Sequence, residues 1–105
     1  MSVIMTFEVK GDPQRVEQVA AEDPQRMRSI ADRAKEHGLM AHRFYGSEDG
    51  RIMVIDEWPD PQSFQQFFEA MRSEIEPLMR DAGVDGAPQI TFWRKLETND
   101  EVGWD

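Results

Sequence analysis

The residues most able to do chemistry in this 105-residue chain are its two histidines, His37 and His42, because it has no cysteine. Any proton transfer therefore falls to a histidine helped by a carboxylate. His42 lies in LMAHRFYG (Leu39–Gly46) and Asp56 in RIMVIDEW (Arg51–Trp58), two strand-like runs joined by the turn Ser47-Glu48-Asp49-Gly50. The turn allows two registers. A two-residue Asp49-Gly50 turn sets His42 opposite Glu57; a three-residue loop with Gly50 in the left-handed position sets His42 opposite Asp56. The second is preferred, because it gives one consistent face of Met40, His42 and Phe44 against Val54, Asp56 and Trp58. In that register the two β-carbons stand ~5 Å apart, a direct cross-strand pair. A carboxylate there holds the imidazole in one tautomer and favours its taking up a proton, as a general base requires. The same pair can equally be a buried polar contact that fixes hairpin register.

Other residues can serve such a base. Arg43, Tyr45, Trp58 and Arg94 can line a pocket, and Arg94 interrupts the apolar pattern of the last strand, where a cation can hold an enolate oxygen. The plainer reading of Arg94 is a snorkelling side chain paired with Glu8 or Asp56, and of Trp58 a core cap. Phe64, Phe67, Phe68, Met71 and Met79 form a helical stripe that is either the apolar wall of an aromatic-ligand site or ordinary core. His37, before Gly38, is a helix C-terminal residue favoured by the dipole. No HxH or HxxxH spacing, Gly-rich phosphate loop or GxSxG elbow occurs, so neither a metal nor a cofactor is expected.

The elements that position these residues read as follows. Residues 2–10 alternate as a strand. Asp12-Pro13-Gln14 starts a helix with an Asp cap and proline in the first turn. The triplet recurs at Asp23 and Asp60, one capping solution used three times. Helical spacing covers residues 13–36, kinked or split at Asp23-Pro24. A second helix starts at Pro61, and Pro77 is expected to bend or restart it near Glu76 before Gly83 ends it. Gly86-Ala87-Pro88 reads as a loop and Gln89–Leu96 as the last strand. The order βαββαβ predicts an α+β, ferredoxin-like, four-stranded antiparallel sheet with two helices on one face.

Ile52, Met53, Val54 and Ile55 are apolar in succession, so both faces of that strand must be covered. The helices cover one; a second copy of the chain is the simplest cover for the other. With 105 residues, the chain is one domain of modest core, and association helps it. The domain is placed at residues 1–96, with an acidic tail at 97–105. A net charge of −9 argues against nucleic acid and anionic membrane surfaces. No apolar run approaches a membrane span and the first residues do not read as a signal peptide, so a cytoplasmic location is expected.

The element order, the two-sided strand and the junction DEWPDPQSFQQFF resemble the dimeric α+β-barrel superfamily, most nearly its antibiotic-biosynthesis-monooxygenase-like (ABM-like) domains. The matching residues are Glu57, Trp58, Asp60 and Phe64, within a resemblance that spans roughly residues 2–96. It implies two ferredoxin-like sheets paired face to face into a dimeric α/β barrel, with a pocket between helices and sheet. Members include cofactor-independent monooxygenases of polyketide quinols, haem-degrading enzymes and quinol oxidases. Many carry a histidine on the second helix where this chain has Phe67, and the haem-degrading branch has an asparagine on the first strand where this chain offers only Ser2 and Thr6.

Three functions follow, of which haem binding is the least favoured because the second helix offers no histidine ligand. The first is a cofactor-independent, monooxygenase-like enzyme for an apolar aromatic or enolisable molecule, with His42 as base, Asp56 as its orienter and Arg94 or Tyr45 stabilising an oxyanion. The second is a non-catalytic ligand-binding or structural homodimer. A cavity of ~300 Å³ or more reaching His42 favours the enzyme.

Overall fold

Alternation in the first strand and continuous apolarity in the third decide the architecture. The computed structural model describes residues 1–104. Its elements are β1 (Val3–Lys10), α1 (Pro13–Glu22), α2 (Pro24–Glu36), β2 (Ala41–Gly46), β3 (Arg51–Trp58), α3 (Pro61–Ala70), α4 (Arg72–Asp81) and β4 (Asp85–Trp93). The strands form one sheet in the order β2-β3-β1-β4, antiparallel throughout. This is the expected α+β ferredoxin-like fold, with each expected helix drawn as two.

Met5, Phe7 and Val9 alternate onto one face of β1 and are buried, together with Ile52 and Trp58 of β3. Ala34, Phe64, Phe67 and Met71 pack on them from the helices. The opposite face carries Ile4, Met53, Ile55 and Trp93, and no helix among the described residues packs on it as the core cluster does on the other; the first three are half-buried and Trp93 stays 53 % exposed. No helix among the described residues is long and apolar enough to cross a membrane.

Three local expectations change. The break in the second helix falls at Met71, not near Glu76, and Pro77 sits inside α4. A proline ring clashes with the carbonyl four residues earlier, here Ser73, so the distortion lies in the turn before it. β4 starts at Asp85 and ends at Trp93, not at Gln89 and Leu96. Lys10 still pairs with Asp85, and a register shift between Glu8 and Lys10 absorbs Gly86 to Pro88. A proline with no N–H to donate is tolerated at such a bulge on an edge strand. At the other end, Trp93 pairs with Ile4, and Arg94 to Leu96 lie beyond the paired region. The Asp-Pro-Gln caps also divide. Asp12 accepts from the backbone N–H of Gln14 at 2.9 Å and Asp60 from that of Ser63 at 2.7 Å, but the Asp23 side chain caps nothing. Asp23 also closes α1 through its own N–H to the Val19 carbonyl, so its backbone serves the previous helix.

The Asp60 cap makes a pH-dependent prediction. The Ser63 backbone N–H, then the Ser63 hydroxyl, hold the Asp60 carboxyl below its ordinary value of 3.8. A depressed folded-state value stabilises fully above 3.8, and that stability is lost as pH falls through the lower value. Asp60→Ala is therefore expected to lower the melting temperature at pH 7, with the gap to the parent protein narrowing below pH 3.8. A gap that does not change with pH contradicts this.

Candidate functional site

The hairpin places the site. Ser47 donates its backbone N–H to the Arg51 carbonyl at 2.8 Å, leaving a three-residue loop whose Gly50 has φ +84°. The left-handed conformation suits glycine, which has no β-carbon to clash. The register that follows pairs His42 with Asp56 and Phe44 with Val54. Asp56 is also the β3 neighbour of Met5, so its side chain is on the helix-covered face and buried.

His42 Nδ1 lies 2.7 Å from Asp56 Oδ1, and Trp58 Nε1–H donates to Asp56 Oδ2 at 3.0 Å. With Asp56 ionised, both of its oxygens accept, Nδ1 carries the ring proton and Nε2 holds the lone pair. The distance suits a charge-assisted bond. Burying the carboxylate is costly unless its oxygens are satisfied, and two donors do this. The indole of Trp58 is fully buried and packs against the rings of Phe64 and Phe67, with centroids 5.8 and 5.6 Å away. Trp58 is thus both core and a positioning residue for Asp56. Trp58 is not in the wall of the cavity described next, so the structure gives it the core role and not the pocket-lining one; its place two residues after Asp56, on the same strand face, was the signal for its bond to Asp56.

Between the helices and this face lies an apolar cavity of about 140 Å³. Among the described residues, His42 and Asp56 are the only polar side chains in its wall, and Phe64, Phe67, Phe68 and Met79 line it opposite the sheet. The cavity reaches His42, as an enzyme requires, but has about half the volume expected. The phenylalanines of α3 take up the rest: Phe64 and Phe68 stack at 5.6 Å, and Phe7 meets Phe68 at 6.1 Å. A cavity of about 150 Å³ with such walls holds one benzene ring.

The other expected site residues are not gathered there. Met71 is buried outside the cavity wall. Tyr45 pairs with Met53 on the opposite sheet face, where the Arg43 guanidinium donates to its hydroxyl at 3.2 Å. Arg94 is exposed beyond β4, so neither the Arg94 nor the Tyr45 side chain is placed to hold an oxyanion at His42. The Arg94 expectation rested on a last strand that runs on to Leu96. His37 is a helix C-cap residue whose ring meets Phe67 edge-on at 5.9 Å. No group of three metal-ligating side chains converges among the described residues.

Many solved structures share this fold over nearly the whole chain. One, described as an antibiotic biosynthesis monooxygenase from Deinococcus radiodurans, superposes with TM-score 0.62 at 14 % identity, covering 96 % of this chain and 99 % of that one. The chain has the ABM-like fold. SnoaB, a cofactor-independent oxygenase from Streptomyces nogalater, matches with TM-score 0.61 at 18 % identity, over 95 % of this chain and 98 % of its own. A dimeric ferredoxin-like protein from an uncultured marine organism matches with TM-score 0.65 at 13 % identity, over 96 % and 93 %. No family model and no curated protein matches the chain. At these identities, the ABM-like likeness is one of fold; the His42–Asp56–Trp58 arrangement rests on this chain's own geometry.

Proposed function

We propose that the protein is a small-molecule enzyme of the cofactor-independent monooxygenase kind, acting on a single aromatic or enolisable ring in the cavity beneath His42. The observation that carries this is one imidazole, oriented by a buried carboxylate, in the wall of an otherwise apolar cavity of single-ring size. His42 Nε2 takes a proton from a phenol or enol. The resulting anion supplies the electrons that reduce oxygen, and Asp56 balances the imidazolium. With hydroquinone as the probe, hydroquinone and O2 give hydroxyquinone and water, one oxygen atom going to each product. The test is incubation with hydroquinone under 18O2. The proposal expects one labelled oxygen in the hydroxyquinone, formed faster than in buffer alone; formation at the buffer rate contradicts it.

A second reading is a non-catalytic binding or structural dimer. It is favoured by the pairing of His42 and Asp56 as direct register partners, which would pin the hairpin whatever the cavity does.

Both readings include a homodimer. The uncovered sheet face presents Ile4, Met53, Ile55 and Trp93, an apolar row that a second copy would bury. Light scattering is expected to give about 24 kDa, twice the 12.2 kDa protomer. Ile55→Lys, which introduces a charge on that face, is expected to give a folded monomer. A monomeric parent protein, or a dimer unaffected by Ile55→Lys, contradicts the assignment of this face.

A further inference from the structure

The cavity has an outer neighbour. A second pocket, of about 310 Å³, lies between the edge strand β2 and the start of α1. The end of β2 lies hard against α1: a β-carbon on Gly46 would stand 2.5 Å from Pro13 Cβ, so glycine is needed there. Val16, Phe44 and Ile52 line both the outer pocket and the inner cavity, and so form the partition between them. Of these, Phe44 is the one on the edge strand. It is 41 % exposed, and its ring stands edge-on to His42 with centroids 5.3 Å apart. The two spaces therefore adjoin at Phe44, beside His42.

The charge along this path is one-sided. Among the described residues, neither wall contains a lysine or arginine, and Glu17 is the one charged side chain of the outer pocket. Arg15 Nε donates to the Asp81 carbonyl at 2.9 Å and Arg51 pairs with Asp49 at 3.3 Å, while the Arg43 guanidinium is held on the hydroxyl of Tyr45, a residue of the outer wall, at 3.2 Å. A carboxylate or phosphate entering here would meet the Glu17 carboxylate and a single guanidinium already bonded to Tyr45, a repulsion that neutral and cationic groups avoid.

We infer that the site takes a ligand in two parts: a six-membered ring with a phenolic or enolic hydroxyl against His42, and a substituent free of negative charge that passes Phe44 into the outer pocket beside Glu17. The inference rests on the reading of the inner cavity as a ligand site. It gives Phe44 and Glu17 roles in specificity, as the gate between compartments and the selector of charge.

The experiment uses three phenols of similar length: 4-propylphenol, tyramine and 3-(4-hydroxyphenyl)propionate. Binding is followed by NMR through the His42 ring resonances. The neutral and cationic phenols are expected to bind at least about fivefold more tightly than the anionic one. Glu17→Lys is expected to reverse the order of tyramine and the propionate while leaving 4-propylphenol unchanged. Glu22→Lys, the same charge change on an exposed site of α1, is expected to leave the order alone. If the propionate binds as well as tyramine, or if both lysine variants act alike, the two-part ligand is overturned and the inner site stands. If none of the phenols perturbs His42, the reading of the inner cavity fails as well.

Discussion

His42→Asn is expected to lower kcat/KM for hydroquinone oxygenation by about 10²–10⁴-fold while leaving the protein folded, because it removes the base and keeps the hydrogen bond. The asparagine amide nitrogen overlays the Nδ1 position and can still donate to Asp56 Oδ1, where His42 Nδ1 now stands 2.7 Å away, so the buried carboxylate keeps a partner. What is lost is the lone pair on Nε2, the atom that would accept the substrate proton. His42→Ala is a poorer test, because it also leaves Oδ1 without a partner, at a cost of about 1–3 kcal/mol. The asparagine variant is checked by steady-state oxygen uptake beside a thermal melt. An unchanged melt with activity lost supports the base. An unchanged rate removes His42 from the mechanism. A collapsed fold without detectable turnover in the parent protein favours the structural pair.

Trp58→Ala is expected to be the most destabilising single substitution in the sheet, by about 3–5 kcal/mol. The side chain is fully buried, packs on two phenylalanines and holds Asp56 Oδ2, so its removal leaves a cavity and an unpaired acceptor together. Trp58→Phe separates the two effects. It keeps most of the ring volume but withdraws the donor, and is expected to cost about 1–3 kcal/mol by urea unfolding. If Trp58 positions Asp56, this variant also shifts the pH profile of hydroquinone turnover; a purely structural tryptophan lowers the unfolding midpoint and leaves the profile in place. An unfolding midpoint unchanged in Trp58→Phe contradicts the role given to its hydrogen bond.

The fold was legible in the sequence where local and long-range signals agreed. The turn Ser47 to Gly50 allowed two registers, and the requirement that Met40, His42 and Phe44 share a face with Val54, Asp56 and Trp58 favoured the one observed. The Asp-Pro-Gln starts marked three helix N-termini, though only backbone geometry could show that Asp23 is committed to the preceding helix. The end of β4 was not legible. Arg94, Lys95 and Leu96 continue a strand-like pattern, but their antiparallel partner β1 begins only at Val3, so beyond Trp93 little of β1 is left to pair with. That error also placed Arg94 near the site. The volume of the cavity was likewise hidden, since spacing shows that Phe64, Phe67 and Phe68 share a helix face but not how far their rings fill the space beneath it. The outer pocket depends on the contact of Gly46 with Pro13, residues far apart in the chain whose meeting no local pattern announces.

The most direct test of the central claim is a crystal structure of the protein purified without added ligand and then soaked with 4-propylphenol. The account predicts the ring in the cavity between Phe64 and the sheet, its hydroxyl within hydrogen-bond distance of His42 Nε2, and Asp56 still bonded to Nδ1. A cavity closed by its own phenylalanines, with no ring bound and His42 bonded to Asp56 alone, would contradict it and leave the pair as a structural device of the hairpin.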